Sequence, residues 1–399
     1  MSHQPPRPLD GRLVVDLSRY LPGPLTAQLL ASLGARVVKV EEPSLGDPVR
    51  FAPPRPGGQS ALAALLLSGV ESIALDLKKP AALQVLEELL EHADVLVESF
   101  RPGTLKRLGL APEELRRRFP KLIVCSLSGW GQDGPHAHRS GHDLTYQAIA
   151  GGLAAGDGMP AIPTADLLGA WSAAASVLAA LVERGESGQG RWIDAALYDA
   201  AVHANLMGWV AEADGPKAVG EELTLTGALI CYDLYPTSDG GLLALALLEP
   251  HFWQRFCDAV GVPELRKAHL KPTPESRRRL ARLVAARSRD QWQEFMAEHD
   301  LPGEPVLSAA EAAEHPQLKA RGVLAQGPDG LPRLAFPARF DGQRPSSSAA
   351  VPKLGEGTSE LLDELGLPPE ALPRLRRRAG IGKRFSLKRW IMGRLSDRR

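Results

Sequence analysis

Short apolar runs alternate with helical segments along the first third of the chain, and this alternation constrains the fold more than any other feature. Residues 13–17 have the composition of a buried strand, a Pro-Gly-Pro turn follows, and residues 25–33 have helical spacing. Gly34 ends that helix, and residues 35–40 form a second apolar run. A strand, a helix and a strand in this order predict a βαβ unit, in which the two strands pair in parallel.

The same pattern recurs further along the chain. Strands are expected at residues 72–77, 93–98 and 121–126, with helices at 80–91 and 111–119. Repeated strand–helix alternation predicts an α/β fold with a doubly wound parallel sheet. The sequence has no G-x-G-x-x-G motif, so a dinucleotide cofactor is not indicated.

The second half of the chain mixes helical and strand patterns. Residues 167–211 are rich in Ala and Leu with long helical periodicity, interrupted at 185–190. Residues 229–249 have strand patterns, and residues 250–325 are mostly helical and charged. A Pro-, Ser- and Gly-rich stretch at 340–356 is expected to be an exposed connection.

The overall charge argues against a nucleic-acid-binding protein. Lys and Arg number 47, as do Asp and Glu, so the formal net charge is zero. The distribution is uneven, because eleven basic residues and one acidic residue follow from Arg374 to the end. Leu387, Trp390, Ile391 and Leu395 fall on one helical face of this tail. The pattern is compatible with a membrane-surface or partner-binding helix, a disordered tail, or a helix docked on the acidic body.

The cysteines and the apolar segments predict a cytoplasmic protein. The three cysteines are widely spaced and include no C-x-x-C pair, which is typical of buried thiols in a reducing compartment rather than of disulfides or a zinc site. Residues 1–9 are Pro-rich and polar, unlike a signal peptide. No run of about 18 apolar residues occurs, so no membrane-spanning segment is expected.

Three short segments carry side chains suited to removing a proton from carbon and returning it. They contain His142, Asp166 and Glu249, each with Gly or Pro nearby. An imidazole and a carboxylate both titrate near neutral pH when their surroundings tune them. The structural alternatives are a cap by Asp143 on a helix starting at Leu144, a cap by Asp166 on the helix that follows it, and a solvated turn at Glu249.

Ordered landmarks run through most of the chain. They are Pro22-Gly-Pro24, Leu33-Gly-Ala-Arg-Val-Val-Lys-Val40, Ala74-Leu-Asp-Leu-Lys78, Ala93-Asp-Val-Leu-Val-Glu98, Arg101-Pro-Gly103, Ser128-Gly-Trp-Gly-Gln132, Gly141-His-Asp143, Asp166, Gly190, Asp194-Ala195, Asp239-Gly240, Glu249-Pro250 and Leu354-Gly-Glu356. In this order they resemble the family III CoA-transferase and α-methylacyl-CoA racemase superfamily, over roughly residues 10–383.

The resemblance implies an architecture that spacing alone does not give. A large Rossmann-like, CoA-binding domain is expected at 1–210 and a smaller α/β domain at 211–330. Residues 331–383 would return to the large domain, and residues 384–399 would form the basic tail. Members of this family pair as two interlocked rings, so a homodimer is expected.

The resemblance also implies a division by chemistry. Racemases of the family pair an Asp with the His of a Gly-His-Asp segment, and a Glu before Pro supports that His. This chain has His142, Asp166 and Glu249 at those places. The leading hypothesis is therefore a racemase or epimerase that exchanges the α-proton of a 2-branched acyl-CoA between His142 and Asp166. The carbanion formed on the way delocalises into the thioester carbonyl as an enolate.

Two alternatives remain open. Transferases of the family use a single catalytic Asp, which forms an anhydride and then a thioester with CoA, so Asp166 is also a candidate nucleophile. A non-catalytic family member that binds an acyl-CoA or a protein partner is the third hypothesis. No metal and no cofactor are expected, since the coenzyme A thioester is the substrate.

The resemblance also suggests which residues receive the CoA ester. Basic groups or bare amides must bind its phosphates, and backbone N–H groups near the Gly-His-Asp segment would face the enolate oxygen. The expected substrate- and CoA-binding residues are Leu75, Asp76, Leu77, Lys78, Ser99, Phe100, Arg101, Arg107, Gly141, Asp143 and Tyr146.

The chain departs from the racemase pattern at three places. Glu42 stands where these racemases usually have an Arg that contacts CoA. The usual basic stretch before the third strand is replaced by residues 67–72, which include Glu71. Ile162 stands where an Asn usually precedes the catalytic Asp. The first two changes predict weaker CoA binding or a phosphate held by other groups.

Overall fold

The structure is a computed structural model that describes residues 7–154, 158–212, 224–345 and 349–367. These residues form two compact units. Unit 1 comprises the chain up to Ala150, Ile162–Ala204 and the residues from Gln317 onward, and unit 2 comprises Gly151–Ala161 and Asn205–Pro316. The basic tail at 384–399 lies outside the described residues.

Unit 1 is built on a six-stranded parallel sheet. Its strands are β1 (Leu13–Asp16), β2 (Arg36–Glu41), β3 (Glu71–Ala74), β4 (Val95–Glu98), β5 (Ile123–Ser128) and β6 (Trp192–Ala196). They lie in the order β3-β2-β1-β4-β5-β6, and neighbouring strands run parallel. The predicted α/β class with a parallel sheet is thereby confirmed.

Helices cover both faces of this sheet. They are α1 (Pro22–Ser32), α2 (Ala61–Leu67), α3 (Pro80–His92), α4 (Thr104–Arg107), α5 (Pro112–Arg118), α6 (Asp143–Ile149), α7 (Thr164–Ser187) and α8 (Leu197–Ala204). Val14 packs in one core cluster with Ala27 and Val177, whereas its neighbour Val15 belongs to a second cluster with Leu86. Because both faces are buried, the strands are continuous apolar runs rather than alternating ones.

Strand β6 corrects the prediction that residues 167–211 are helical apart from a break. The chain leaves α7, passes the break and forms a five-residue strand before α8 begins. β6 is an edge strand that pairs with β5, and its Trp192-Ile-Asp start is only partly buried. A Cβ at Gly190 would lie 2.0 Å from the carbonyl oxygen of Leu122, so glycine permits this approach.

Helix α7 is long and apolar enough, by length and composition, to cross a membrane. In the structure Ala170, Ala173 and Val177 are buried in the core of unit 1, as expected of a core helix. Leu168 and Val182 lie on its exposed side. The predicted cytoplasmic location stays a prediction.

A buried ion cluster fixes the two loops that follow β1 and β2. Lys39 has 1% of its side chain exposed, and its Nζ lies 2.9 Å from Asp16 Oδ2 and 3.0 Å from Asp47 Oδ2. The same ammonium donates to the carbonyl oxygen of Ser18 at 2.8 Å. Burial alone would lower the pKa of Lys39, but the neighbouring carboxylates outweigh it and hold that pKa above its usual value.

Removing the ammonium tests this cluster. We expect Lys39→Met to lower the free energy of unfolding by about 3–5 kcal/mol, because Asp16 and Asp47 would stay buried without a counter-charge. The exposed Lys121 provides the control, and Lys121→Met should change stability by less than about 0.5 kcal/mol. Urea unfolding followed by circular dichroism measures both. Equal stability of Lys39→Met and the wild type would contradict the expectation.

Unit 2 has a smaller antiparallel sheet packed with helices. Its strands, in the order β7-β8-β9, are β7 (Tyr232–Pro236), β8 (Leu242–Ala246) and β9 (Gly303–Pro305). Its helices are α9 (Leu206–Glu212), α10 (Pro250–Ala259), α11 (Pro274–Val284), α12 (Arg289–Glu298) and α13 (Ala309–Glu314). Trp253, Phe256 and Trp292 are fully buried at its core. The predicted domain limits at residues 210 and 330 stay predictions.

The chain then returns to unit 1. The returning elements are α14 (Pro316–Arg321), the antiparallel pair β10 (Leu324–Gln326) and β11 (Pro332–Leu334), and α15 (Thr358–Glu364). Gly355 and the first residue of α15 bind the edge strand β3. Gly355 N donates to Ser72 Oγ at 2.9 Å, and Ala74 N donates to Thr358 Oγ1 at 3.0 Å. A late segment thus secures an early strand.

Candidate active site

The sheet order reverses at β1, since β2 and β3 extend it on one side and β4 to β6 on the other. Ligands of open α/β sheets bind outside the carboxyl ends of the strands at such a reversal. Ser99 follows β4, and Arg19 follows β1. The Ser99 hydroxyl oxygen accepts a hydrogen bond from the backbone N–H of Arg19 at 3.0 Å. Arg19 and Tyr20 were not among the site residues predicted from the sequence. Their place between the first predicted strand and the Pro-Gly-Pro turn was the available indication.

The predicted CoA-binding residues lie in loops after β3 and β4. Leu75 is buried and donates its N–H to the carbonyl oxygen of Glu41 at 2.9 Å, whereas Lys78 is exposed three residues later. Asp76 and Leu77, between them, are partly buried. The segment therefore presents one cation at this edge of the sheet, on a backbone fixed by β2.

The loop after β4 and helix α4 carry the other two cations that were predicted to bind CoA. Phe100 packs against the core and donates its N–H to Glu98 Oε2 at 2.7 Å. Arg101 is exposed and donates from Nη2 to Ser140 Oγ at 2.8 Å. Arg107, at the end of α4, is also exposed and donates to Thr104 Oγ1.

The N-termini of α6 and α7 meet at the Gly-His-Asp segment. Asp143 Oδ1 accepts the backbone N–H of Asp166 at 3.0 Å, and Asp143 Oδ2 accepts from Gln147 Nε2 at 2.6 Å. His142 precedes α6 and is exposed, and its N–H donates to Thr145 Oγ1 at 3.0 Å. The structure therefore brings His142, Asp143 and Asp166 together.

Both capping predictions for these helices are wrong. Asp143 is the first residue of α6 rather than its cap, and its carboxylate binds a backbone amide of α7 instead. Helix α7 begins at Thr164, so Asp166 lies inside the first turn rather than before it. Pro163 occupies the cap position of α7. Proline is more common at the first helical position than at the cap, so the sequence does not indicate that the helix begins at Thr164.

Tyr146 is buried behind this junction. Its side chain packs against two glycines. A Cβ at Gly129 would lie 2.2 Å from the Tyr146 hydroxyl oxygen, and a Cβ at Gly141 would lie 2.5 Å from the Tyr146 ring. Trp130 packs edge-on against it with ring centroids 4.8 Å apart. Burial and the charge of Asp166 raise the pKa of Tyr146 to about 12, while Arg101 opposes the rise. The phenol is thus a neutral hydrogen-bonding group.

Asp166 has the electrostatics of a proton carrier. Burial raises its pKa to about 6, and the nearby carboxylate of Asp143 adds to the effect. A helix N-terminus lowers a carboxylate's pKa, but desolvation is the larger influence on Asp166. Asp166 is therefore ionised at neutral pH and yet protonates within about one pH unit of it.

Glu249 belongs to unit 2. It occupies the cap position of α10, is exposed, and accepts the N–H groups of Phe252 and Trp253 through its backbone carbonyl. Its pairing with His142 stays a prediction. Among the residues that the structure describes, no group of three or more His, Cys, Asp or Glu side chains is placed to hold a metal.

The two unusual acids, Glu42 and Glu71, lie at opposite ends of the parallel strands. Glu42 follows β2, and its carboxylate accepts from Ser44 N, Ser44 Oγ and Leu45 N at 3.1, 2.5 and 3.1 Å. Glu71 is the first residue of β3, so it lies at the amino ends of the strands, where it forms an ion pair with Arg36 at 2.8 Å. Of the two acids, only Glu42 therefore lies near the carboxyl ends of the strands, where a ligand would bind.

The chain matches the family model described as CoA-transferase family III over residues 9–358. The chain belongs to this family. It is 32% identical to the acetyl-CoA:oxalate CoA-transferase of Acetobacter aceti over 385 residues, which is 92% of this chain and 97% of the relative. It is also 32% identical to the human alpha-methylacyl-CoA racemase over 383 residues, or 92% of this chain and 96% of the relative. Relatives of both chemistries are therefore equally similar.

Solved structures agree with the fold. A CAIB/BAIF family protein from Brucella suis superposes with a TM-score of 0.78 at 29% identity, covering 90% of this chain and 100% of that one. A structure from Mycobacterium tuberculosis has a TM-score of 0.77 at 27% identity, with the same coverage. The α/β sheet with its smaller antiparallel sheets is thus the architecture of solved CAIB/BAIF proteins.

The raised pKa of Asp166 predicts that its charge costs stability. Asp166→Asn should raise the free energy of unfolding at pH 8, by up to about 3 kcal/mol, since the unfolded carboxyl ionises near pH 3.9 and the folded one near 6. Below the unfolded pKa both forms are protonated and the gain vanishes. It grows between about pH 4 and pH 6 and is constant above.

Urea unfolding at pH 5 and pH 8 measures this gain, which should be roughly twice as large at the higher pH. The exposed Asp363 supplies the control, and Asp363→Asn should show no such trend. A gain that is absent at both pH values would mean that Asp166 is not desolvated in solution.

Proposed function

We propose that this family III member is a racemase or epimerase of 2-branched acyl-CoA thioesters, with His142 and Asp166 as its two proton carriers. Membership of the family makes it an acyl-CoA enzyme, and its relatives include both transferases and racemases. The observation that carries the racemase proposal is the hydrogen bond from Asp166 N to Asp143 Oδ1. It joins the histidine segment to the catalytic aspartate.

The chemistry needs one group on each face of the α-carbon. In one direction the His142 imidazole takes the α-proton, the electron pair moves onto the thioester carbonyl, and the Asp166 carboxyl returns a proton to the other face. In the reverse direction the roles exchange. A carboxyl with a pKa of about 6 suits both roles, because either protonation state is accessible near pH 7.

The enolate oxygen needs hydrogen-bond donors. Asp143 begins α6, so its N–H has no partner within the helix. The exposed cations Lys78, Arg101 and Arg107 would bind the phosphates of CoA. Glu42 is engaged by its own turn, which limits its repulsion of the ligand.

A family III CoA transferase is the second candidate, favoured by the partly buried carboxylate of Asp166 and by transferases among the relatives. Asp166 would attack the acyl-CoA carbonyl, giving a mixed anhydride and CoA thiolate. The thiolate would then attack the aspartyl carbonyl, giving an aspartyl-CoA thioester and releasing the donor acid. The acceptor carboxylate would reverse these steps and leave as its own CoA ester.

Solvent isotope exchange separates the two candidates. Incubation with a panel of 2-methyl-branched acyl-CoAs in D₂O, followed by mass spectrometry, should show deuterium at the α-carbon. His142→Ala should slow the exchange about 10²–10⁴-fold, the usual share of a positioned acid–base group. The exposed His92 gives the control, and His92→Ala should exchange like the wild type.

A transferase would give no exchange, and hydroxylamine would instead convert Asp166 into a hydroxamate once a donor acyl-CoA is added. Exchange that survives in His142→Ala with both enantiomers would refute the two-base assignment. Binding of an acyl-CoA with neither exchange nor trapping would favour the non-catalytic hypothesis.

The interlocked homodimer is proposed on the same resemblance. Exposed apolar side chains support it, including Leu168 and Val182 on α7 and Met207 and Val210 on α9. Light scattering at micromolar concentration should give twice the chain mass of 42.8 kDa. A stable particle of one chain mass would exclude the dimer. A membrane or partner contact by the tail stays a prediction.

A further inference from the structure

A pocket of about 330 Å³ opens in unit 1 beside β4, β5 and β6. Neither His142 nor Asp166 lines it, and of the residues assigned above to CoA binding, Arg101 contributes. The pocket therefore adjoins the proposed CoA-binding loop through Arg101 but does not include His142 or Asp166.

The floor of the pocket is a buried acid with defined neighbours. Glu98, the last residue of β4, is 3% exposed, and Ser126 on β5 is 1% exposed. The Ser126 hydroxyl hydrogen-bonds the Glu98 carboxyl, and Trp192 Nε1 donates to Ser126 Oγ at 3.1 Å. These bonds hold the floor in place.

One donor in the pocket has no acceptor. The Gln132 side chain lines the pocket, and its Nε2 is buried without a hydrogen-bond partner among the described residues. The backbone is held, since Gln132 N donates to Asp194 Oδ2 at 2.9 Å. Buried donors in folded proteins are almost always paired, so this amide is a donor that is open to an acceptor from outside the described residues.

The other residues that line the pocket indicate the charge and the polarity of a suitable ligand. Arg101 and Lys106 are exposed at the pocket and supply positive charge, while Leu105, Pro112 and the Trp192 ring supply apolar walls. A phosphate dianion would meet the acids Glu98 and Glu113 in the same pocket. A single negative charge on an apolar body suits the lining better.

We propose that this pocket binds a small organic carboxylate, with an oxygen accepting from Gln132 Nε2, its charge facing Arg101 and Lys106, and its carbon chain on the apolar walls. The proposal concerns binding alone. It does not depend on whether Asp166 serves a racemase or a transferase.

The protonation of Glu98 gives the site a pH dependence. Burial raises the pKa of Glu98 to about 7, hydrogen bonds from Ser126 and Phe100 N oppose the rise, and Asp194 adds to it. A neutral carboxyl tolerates a ligand anion, whereas an ionised one repels it, so binding should weaken above pH 7. The charged or titratable groups around it are Asp194, Arg101, Lys106, Glu113 and His138.

Calorimetric titration of the full chain with acetate, propionate and butyrate tests the proposal. Each added methylene should tighten binding about threefold to fourfold, because it contacts the apolar walls. Gln132→Leu should weaken butyrate binding about tenfold through loss of a charge-assisted hydrogen bond. The near-isosteric Gln132→Glu should weaken it at least as much and serves if the first variant does not fold. Gln189→Leu, an exposed glutamine of unit 1, should bind like the wild type.

Titration between pH 7 and pH 9 adds an independent test. The wild-type affinity should fall by up to about tenfold per pH unit, and Glu98→Gln should remove this dependence. No millimolar binding of butyrate, equal binding by both Gln132 variants, or tighter binding of inorganic phosphate than of butyrate would overturn the proposal.

Discussion

The ammonium of Lys39 is the point on which the ligand edge of the sheet depends. It lies in the middle of β2 and binds the Asp16 side chain from β1, the Ser18 carbonyl from the loop after β1 and Asp47 from the loop after β2. Arg19, next to Ser18, in turn donates to Ser99 after β4. The loops after β1 and β2 are therefore bound directly to Lys39, and the loop after β4 is bound through Arg19. A change in the position of Lys39 would move all three loops, which would face a CoA ester.

The junction of α6 and α7 shows how the fold tunes an acid without a cation. Asp166 sits in the first turn of a helix, where its charge should be favoured, yet burial and Asp143 raise its pKa to about 6. Asp143 holds the Asp166 backbone while its charge disfavours the Asp166 side chain. Asp143 thus fixes the backbone of Asp166 and adds to the effect of burial on its protonation, and the cost falls on stability rather than on geometry.

Sequence patterns predicted the parallel sheet because its strands are buried on both faces and therefore form strong apolar runs. β6 was missed because it is a five-residue edge strand between two helices, with only its last two residues buried. The grouping of His142 and Asp166 came from motif resemblance, and no local pattern encodes the bond that joins them. The pocket at Glu98 was out of reach, because its lining comes from segments far apart in the chain and Glu98 itself looks like an ordinary strand end.

The tie between β3 and the residues before α15 has a consequence for biosynthesis. Gly355 and Ser72 are separated by 283 positions, so at about 5–20 residues per second the edge strand waits roughly 15–60 s on the ribosome for its partner. During that interval the outer edge of β3 is open to other strands. The order of elements in the chain therefore leaves one sheet edge unpaired for most of synthesis, which is the stage at which pairing with other strands is a hazard.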